Sequence, residues 1–409
     1  MGQSWKKNTG LFLASQTISL LGSSLVMYAI MWYVIRETGQ GVMMTLYIVC
    51  SHLPTLFISP FGGVWADRFN RKYQAAIADS SIAVATLALA VVFMLGYREI
   101  WLLLVISAVR ALGTGVHSPC VSAILPQLVP EDQLTRVNGV KTSLQSVMLL
   151  VSPALAGVLY SVAPLEYIFF IDVITAAIAV PILLSIRMPA QPKKEKPAGG
   201  YFGDLRLGIR YIRSHSFVRV FIAFFAMFQI LVVPVALLTP LQVTRTFGSD
   251  DWLLPAIEIA FSGGMLLGGL AMTARGGFKN RAHSMIFAGL ILGALTLALG
   301  FVPIFSIYLV LMVLMGLLIP FFNVPATVLL QEKVEPDYMG RVFSVLDMTA
   351  SVTMPLGMIF FGPLSDTIRI EWLLVATGAL MAVETLLLSR SRVVLEAGKP
   401  KPKEEALLP

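Results

Sequence analysis

The sequence predicts an all-α membrane protein with twelve transmembrane helices in two pseudo-symmetric six-helix bundles. Three observations predict this fold class: the composition, the length of the apolar segments and a repeat at about half the chain length. Of the 409 residues, 57% are hydrophobic and 13% are charged, whereas a soluble globular protein has about 25% charged residues. A soluble fold this apolar could not cover its own surface, so the composition argues against a large soluble domain.

The apolar residues form twelve blocks of about the length that crosses a 30 Å bilayer core as a helix. The predicted spans are roughly 9–36, 43–66, 73–95, 100–122, 137–161, 164–187, 216–243, 253–274, 282–303, 305–329, 341–364 and 371–389. Only the region around Pro303 separates the ninth block from the tenth, so eleven spans is the alternative. The first block is longer than the apolar part of a signal peptide and is expected to remain as a span.

Two halves of the chain resemble each other. The stretches "LPQLVPEDQLTRV" (125–137) and "LQEKVEPDYMGRV" (330–342) both end in Arg-Val, and Arg136 and Arg341 are 205 residues apart. Gly63 and Gly268 have the same separation, each near the end of an even-numbered span. This offset predicts a duplicated six-helix unit, and parallel repeats of this kind are common in transporters.

Four regions follow from this repeat. We predict an N-terminal bundle over 1–187, a linker over 188–215, a C-terminal bundle over 216–391 and a tail over 392–409. The linker begins with the Pro- and Lys-rich "MPAQPKKEKPAGG", which is typical of a flexible segment. In the following "YFGDLRLGIRYIRSH", apolar residues recur with helical spacing between arginines, namely Tyr201, Leu205, Ile209 and Ile212. This pattern predicts an amphipathic helix on the membrane surface, and a short solvated link is the alternative.

The basic residues are distributed unevenly between the predicted loops. Of the 30 Lys and Arg residues, 25 lie in segments on the side of the N-terminus, four lie on the other side and Arg110 lies within a span. The positive-inside rule therefore places both termini and the linker in the cytoplasm. The basic residues are spread over seven segments, so the net charge of +7 argues for orientation beside an anionic leaflet and against nucleic-acid binding.

The stretch "GVWADRFNRK" (63–72) follows the second span. Gly63 has no side chain and would let another helix approach closely. Asp67, one turn later, could accept hydrogen bonds from a helix N-terminus or pair with a cation. Asn70 is at the turn and tolerates a left-handed conformation. The basic residues of this stretch are expected to face the cytoplasm: Arg68, Arg71 and Lys72. A plain stop-transfer loop would explain these bases but not Gly63 or Asp67.

This stretch resembles G-x-x-x-D-R-x-G-R-K, the signature of the major facilitator superfamily, with Asn70 in place of the loop glycine. The resemblance extends over the whole chain and implies the major facilitator fold. It also implies that the stretch is a latch, which holds the outward-facing state closed on the cytoplasmic side. The corresponding "GGLAMTARGGFKNR" of the second half keeps Gly268 but has no aspartate, so the latch should be asymmetric.

Three longer stretches are similar to the macrolide-efflux-type branch of this superfamily: residues 110–135, 143–162 and 331–344. This resemblance implies a bacterial cytoplasmic-membrane protein that exports bulky amphiphilic, macrolide-like compounds in exchange for protons by alternating access. Export of an endogenous siderophore, metabolite or lipid is the alternative, because the same branch includes such transporters. A non-transporting scaffold or sensor is a third possibility, although it would need neither a one-sided latch nor a buried Arg110.

The fourth span contains "VRALGTGVHSP", which places Arg110 about ten residues into the membrane. A buried guanidinium is costly unless it meets a carboxylate, a carbonyl or water. Gly113 and Gly115 would let neighbouring helices pack closely. In the drug-exporting branch an R-x-x-G-x-G pattern in this span is associated with proton coupling, and these three residues match it. A structural arginine that bridges two helices is the alternative.

The fifth span contains "SPALAG". Pro153 and Gly157 match only part of the antiporter motif G-P-x-x-G-G. This partial match favours export over uptake. A simple proline kink would explain the same residues.

Several other ionisable residues fall within spans, where charge is expensive and therefore indicates function. They are His52, Asp79, His117, Asp172, Glu258, Asp347 and Glu384. The candidates for proton coupling are Arg110, Glu258 and Asp172. The family fold places the sixth and twelfth spans outside the cavity, and this position weighs against Asp172 and Glu384. Asp79 and Asp347 are expected near the inner edge, within reach of water.

In the family fold, spans one, four, seven and ten line the substrate cavity. Soft Met and aromatic surfaces suit a loosely specific site for bulky amphiphiles, and ordinary lipid or helix contact is the alternative for each residue. The candidates are Gln16, Ser19, Met31, Trp32, His117, Phe228, Gln229 and Asn323.

Several chemistries have no motif in the sequence. It contains no G-x-x-x-x-G-K-[ST] loop for ATP, no H-E-x-x-H and no G-x-S-x-G. Both cysteines, Cys50 and Cys120, fall within spans and are expected to be small apolar residues. We therefore expect no enzyme, no cofactor and no metal site. The expected partners are an amphiphilic substrate, protons and the lipid bilayer, and the expected state is a monomer.

Overall fold

The computed structural model describes residues 4–188, 200–248, 250, 252–275 and 280–398. All regular structure in this part of the chain is helical. Twelve helices among these residues are long and apolar enough to cross a membrane. The fold class and the number of spans predicted from the sequence are therefore confirmed. Most of the predicted flexible linker and of the C-terminal tail lies outside the described residues.

Six long helices come first in the chain. They are α1 (Ser4–Thr38), α2 (Gly41–Arg68), α3 (Arg71–Met94), α4 (Ile100–Leu128), α5 (Leu134–Val162) and α6 (Leu165–Ser185). A single 3₁₀ turn, Glu131–Gln133, precedes α5.

The remaining helices follow the linker. They are α7 (Gly200–Ser214), α8 (Ser216–Val233), α9 (Thr239–Phe247), α10 (Leu253–Arg275), α11 (Arg281–Leu299), α12 (Phe305–Lys333), α13 (Pro336–Thr367), α14 (Ile370–Ser389) and the short α15 (Arg392–Ala397). A π-helical segment, Pro234–Leu238, joins α8 to α9 within one span. It begins at a proline, which has no backbone N–H for the regular helical bond. The segment around Pro303 separates α11 from α12, which excludes the eleven-span alternative.

The described residues fall into two compact units. Unit 1 comprises Met1–Pro197, Leu238–Ile259 and Met358–Thr367, and unit 2 comprises Ala198–Leu237, Ala260–Gly357 and Ile368–Pro409. Unit 1 thus contains helices α1 to α6 together with α9, the start of α10 and the end of α13. The four-region division made from the sequence remains a prediction.

Glycines bring the helices of unit 1 into close contact. A Cβ on Gly62 of α2 would lie 2.6 Å from the carbonyl oxygen of Gly115 on α4. Gly115 itself faces the backbone of Thr55, and Gly113 faces the Ile82 side chain on α3. Because lipid supplies no strong apolar driving force between helices, this tight packing of small residues is an important source of stability.

The expected close approach at Gly63 is wrong, because a Cβ built there would meet nothing within 4 Å. The contact belongs to Gly62, one residue earlier. Successive residues of an α-helix point about 100° apart, so neighbours in the sequence face different surroundings. In a span that is apolar on all sides, no polar stripe marks which glycine faces a helix.

Unit 2 repeats this type of packing between α10 and α12. Cβ atoms on Gly264 and Gly268 would lie 2.1 Å from the carbonyl oxygens of Val313 and Leu317, respectively. Gly316 makes the reciprocal contact with Phe261. The second and fourth spans of each half therefore pack through glycine, as expected for a duplicated unit.

The helix predicted after the linker is present as α7, but part of its apolar stripe is exposed. Ile209 is exposed, whereas Tyr211 and Ile212 are buried. The Tyr211 ring stacks on His215 and on Tyr338, with centroids 3.9 and 4.5 Å away. This helix thus packs on the start of α13. The side chains of Tyr201 and Leu205 lie outside the described part of the structure, and the membrane-surface position stays a prediction.

Candidate functional site

The stretch that resembles the superfamily signature lies at the end of unit 1 where α2 ends and α3 begins. We call this the basic end, since Arg68, Arg71 and Lys72 lie there. Asn70 is the N-cap of α3, with φ −69°, and its side chain accepts a hydrogen bond from the backbone N–H of Lys72. The left-handed conformation considered for Asn70 is therefore wrong. Asparagine suits this extended capping position because its oxygen satisfies an otherwise free helix N–H.

Two of the three bases hold helix ends together. Arg71 donates through Nε to the carbonyl of Ala66 (2.8 Å) and through a terminal nitrogen to that of Ala123 on α4 (3.1 Å). Lys72 donates to the carbonyls of Leu184 and Ile186 at the end of α6, both at 3.0 Å. Cations are favourable at these C-termini because the carbonyls there carry partial negative charge. Both side chains thus contact helix ends within unit 1, and their position on the cytoplasmic side stays a prediction.

The Asp67 side chain lies outside the described part of the structure, so its role in a latch stays a prediction. Arg68 is exposed at the last residue of α2. At the basic end, Arg71 and Lys72 thus link the start of α3 to the ends of α2, α4 and α6 by hydrogen bonds.

Arg110 lies inside unit 1 in a cluster formed by four helices. It forms an ion pair with Asp172 on α6 and donates a hydrogen bond to the Thr86 hydroxyl on α3. Its other terminal nitrogen lies 3.4 Å from the Ser23 carbonyl on α1. The hydroxyls of Ser23 and Thr86 donate to the two carboxylate oxygens of Asp172, each at 3.1 Å.

This cluster compensates charge almost completely. The Asp172 residue is 2% exposed and the Arg110 side chain 11%. Both carboxylate oxygens have donors, as a buried carboxylate requires. The Asp172 side chain points into unit 1, at Arg110, and its part in proton coupling stays a prediction. The sequence alone could not show this pairing, as the two residues are 62 positions apart.

A second buried polar cluster joins α1, α3 and α4. The Asp79 carboxylate lies 3.4 Å from Nε2 of His117 and accepts a hydrogen bond of 3.1 Å from the Ser19 hydroxyl. Asp79 is 6% exposed, so the expected contact of its side chain with water is wrong, and its position near the inner edge stays a prediction. The helices around it enclose the side chain. Ser19 and His117, two of the cavity candidates, both face this carboxylate.

Two further cavity candidates are enclosed by helix packing. Trp32 is fully buried beside Tyr28 and Tyr160, with ring centroids 5.6 and 6.0 Å away. Phe228 is buried in unit 2 and stacks on Phe322 at 4.6 Å. These two rings therefore form part of the internal packing of their units and do not line an open surface. The remaining candidates retain exposure: Gln16, Met31 and Gln229 are partly buried and Asn323 is exposed.

The fifth span and Glu258 lie near each other in unit 1. A Cβ on Gly157 of α5 would lie 2.3 Å from the Pro255 ring on α10. Pro153 is buried within α5, and Glu258, one turn after Pro255, is half-buried. The glycine thus allows close contact between α5 and α10.

The end of unit 1 opposite the basic end carries a polar contact that sequence reasoning missed. The Asp366 carboxylate, at the end of α13, accepts hydrogen bonds from the backbone N–H groups of Gly41 (2.7 Å) and Val42 (2.9 Å) at the start of α2. Arg245 on α9 donates to Asp366 at 2.7 Å and to the Gly39 carbonyl at 2.6 Å. We call this arrangement the Asp366 clasp. An acidic residue at the very end of the eleventh span was the only signal in the sequence.

Comparison with known proteins agrees with this architecture. The sequence model of the Major Facilitator Superfamily matches residues 12–352 and 276–409. Macrolide efflux protein A from Streptococcus pyogenes is 31% identical over 381 residues, covering 92% of this chain and 94% of that protein. Macrolide efflux protein A from Enterococcus faecalis is 32% identical over 324 residues, covering 78% of this chain and all of that protein.

A solved structure shares the fold at low identity. The inward-facing, unoccupied crystal structure of a bacterial homolog of the human lysosomal transporter Spinster has a TM-score of 0.72 and 14% identity. The match covers 98% of this chain and 100% of the other.

Proposed function

Since this chain belongs to the Major Facilitator Superfamily and is a transporter, we propose that it exports bulky amphiphilic compounds in exchange for protons by alternating access. Macrolide-like drugs are the proposed substrate class. The similarity to macrolide efflux proteins over 92% of the chain supports this substrate class more than any single residue does.

The observation that supports proton coupling is the Arg110 cluster. No ATP-binding loop occurs in the sequence, so uphill export would draw on an ion gradient. Arg110 and Asp172 place a compensated pair of charges deep in unit 1, where charges are rare and mark ion pathways. Glu258, a half-buried acid of α10, is the third coupling candidate.

We further propose that the protein acts as a monomer in the bacterial cytoplasmic membrane, with both termini in the cytoplasm. The distribution of Lys and Arg supports this orientation. A cysteine introduced in place of Glu195, which lies outside the described residues, should resist an impermeant thiol reagent applied to intact cells. Efficient labelling from outside would contradict the orientation.

Transport itself can be tested in cells that lack their own drug exporters. Expression should lower the accumulation of a radiolabelled macrolide, and a protonophore should restore it. Unchanged efflux in the presence of the protonophore would argue against proton coupling. If macrolides are not moved while a siderophore or lipid is exported, the family assignment stands and the proposed substrate is wrong.

A further inference from the structure

We propose that the buried pair of Asp79 and His117 binds and releases the proton that is exchanged for substrate. This inference rests on the proton-coupled export proposed above and names the group that carries the proton. Arg110 and Asp172 then act as a charge pair of fixed protonation beside it.

The geometry of the pair suits a proton site. His117 Nε2 lies 3.4 Å from one Asp79 oxygen, and the Ser19 hydroxyl donates to the other oxygen at 3.1 Å. The His117 side chain keeps 17% of its surface exposed, whereas that of Asp79 keeps 7%. The imidazole thus separates the carboxylate from accessible space and can pass a proton between them.

The charge balance favours a single bound proton. With one proton the pair is neutral, and a dry interior favours the uncharged form, a carboxylic acid beside an imidazole, over the ion pair. Losing this proton leaves a buried net negative charge, which is unfavourable in a dry interior and tolerable once water reaches the pair. Proton occupancy therefore belongs to the pair as a whole and depends on its hydration, which alternating access changes.

The Arg110 pair cannot serve in the same way. The guanidinium stays protonated at any physiological pH, and Asp172 is held by it and by the hydroxyls of Ser23 and Thr86. Protonating Asp172 would leave the guanidinium uncompensated among four helices. This pair is therefore expected to remain charged through the cycle.

Two helical turns separate the two pairs along neighbouring faces of α3 and α4. Arg110 lies seven residues, or about two turns, before His117 on α4, and Asp79 lies seven residues before Thr86 on α3. The charged or titratable groups near Asp79 in the described residues are therefore His117 and Arg110 from α4 and, beside Arg110, Asp172 from α6. The helix α1 contributes the Ser19 hydroxyl, and α2 adds no charged side chain to the described contacts of Asp79.

Toward the basic end, Ala75, Ala76 and Cys120 belong to an apolar cluster, so the exposed part of His117 is the expected route by which a proton reaches the pair. A purely structural helix contact would not need this partial exposure.

Protonation can be measured directly on the purified full-length protein. In infrared difference spectra between high and low pH, the wild-type protein should show a band from a protonating carboxyl group. Asp79→Asn should remove one component of this band, and Glu384→Gln, which removes another acid of a membrane-spanning helix, should leave that component in place. A band in Asp79→Asn identical to that of the wild type would overturn the proposal.

The role of His117 has its own variant. His117→Gln keeps a polar side chain but cannot take a proton, so the pH dependence of the Asp79 band should change. An unchanged pH dependence would show that the histidine does not share the proton. Both variants should elute as monodisperse protein in gel filtration, which verifies folding.

Transport in proteoliposomes separates proton coupling from substrate movement. With radiolabelled erythromycin as the probe, Asp79→Asn should retain exchange of labelled for unlabelled compound at equal pH and lose accumulation driven by a pH gradient. Gradient-driven accumulation at the wild-type level would overturn the proposal. If the wild-type protein moves no erythromycin, the proposed substrate is wrong, and the infrared band still decides whether Asp79 binds the proton.

Discussion

Replacing Arg110 by methionine removes the cation that faces Asp172 and leaves a carboxylate that is 2% exposed. Replacing Asp172 by leucine leaves the guanidinium without its anion. The double variant removes both charges and fills the space with apolar side chains. These three variants and the wild type form a cycle that measures how strongly the two residues depend on each other.

Breaking a buried pair costs about 3–5 kcal/mol of folding free energy, since an uncompensated charge remains. Asp172 would keep its hydroxyl partners Ser23 and Thr86, each at 3.1 Å, so Arg110→Met is expected to cost about 3 kcal/mol of folding free energy. Asp172→Leu is expected to cost about 5 kcal/mol, because the guanidinium keeps its charge and retains only the Thr86 hydroxyl and the Ser23 carbonyl, the latter 3.4 Å away. The double variant should lie within about 1 kcal/mol of the wild type.

Unfolding of the detergent-solubilised protein, followed by tryptophan fluorescence against denaturant, measures these differences. Additive losses, within about 0.5 kcal/mol, would refute the reasoning, because independent sites behave in that way. Gradient-driven macrolide export should be lost in all three variants and partly retained in Arg110→Lys, which keeps the charge but not the planar donor geometry. Full export by the stable double variant would remove Arg110 from the coupling mechanism.

Three further predictions concern the ends of the helices and their packing. Asp67→Asn should leave expression and insertion unchanged but lower export, through a conformational bias of about 1–3 kcal/mol; a wild-type export rate would contradict the latch. Asp366→Asn should loosen the clasp at the start of α2, so that a cysteine replacing Thr45 reacts faster with an impermeant reagent; an equal labelling rate would argue against the clasp. Gly62→Ala should destabilise the folded protein by about 1–3 kcal/mol, because the added methyl group would meet α4. Gly63→Ala has open space around its Cβ and should be neutral or stabilise the protein by up to about 1 kcal/mol. Equal effects of the two substitutions would contradict the packing described.

The capping residues show where local sequence rules were sufficient and where they were not. Asn70 could be placed at a turn from its residue type, yet its conformation depended on the start of α3, whose first N–H groups need an acceptor. Asn280 occupies the equivalent position before α11 and caps it in the same way. This second occurrence is visible in the sequence as Asn-Arg after a basic loop, and it could have indicated a cap.

The pairing of the buried charged residues, in contrast, could not be predicted from the sequence. The sequence identified Asp79, Arg110, His117 and Asp172 as unusual, because each falls within an apolar span. It did not indicate which side chains meet. Two of them, Asp79 and His117, are separated by 38 positions on different helices, and their contact depends on the rotation and depth of each helix.

The sequence by itself determined that the chain crosses a membrane twelve times, because the length of an apolar block and the thickness of a bilayer decide this without any tertiary contact. It also identified the superfamily, through a local stretch of ten residues. Only the tertiary structure decided that Gly62 faces α4, that Asp366 caps α2 and that Arg110 meets Asp172. In an apolar span every face is hydrophobic, so periodicity does not single out the face that packs against another helix, and specificity arises from close contact and from buried polar partners.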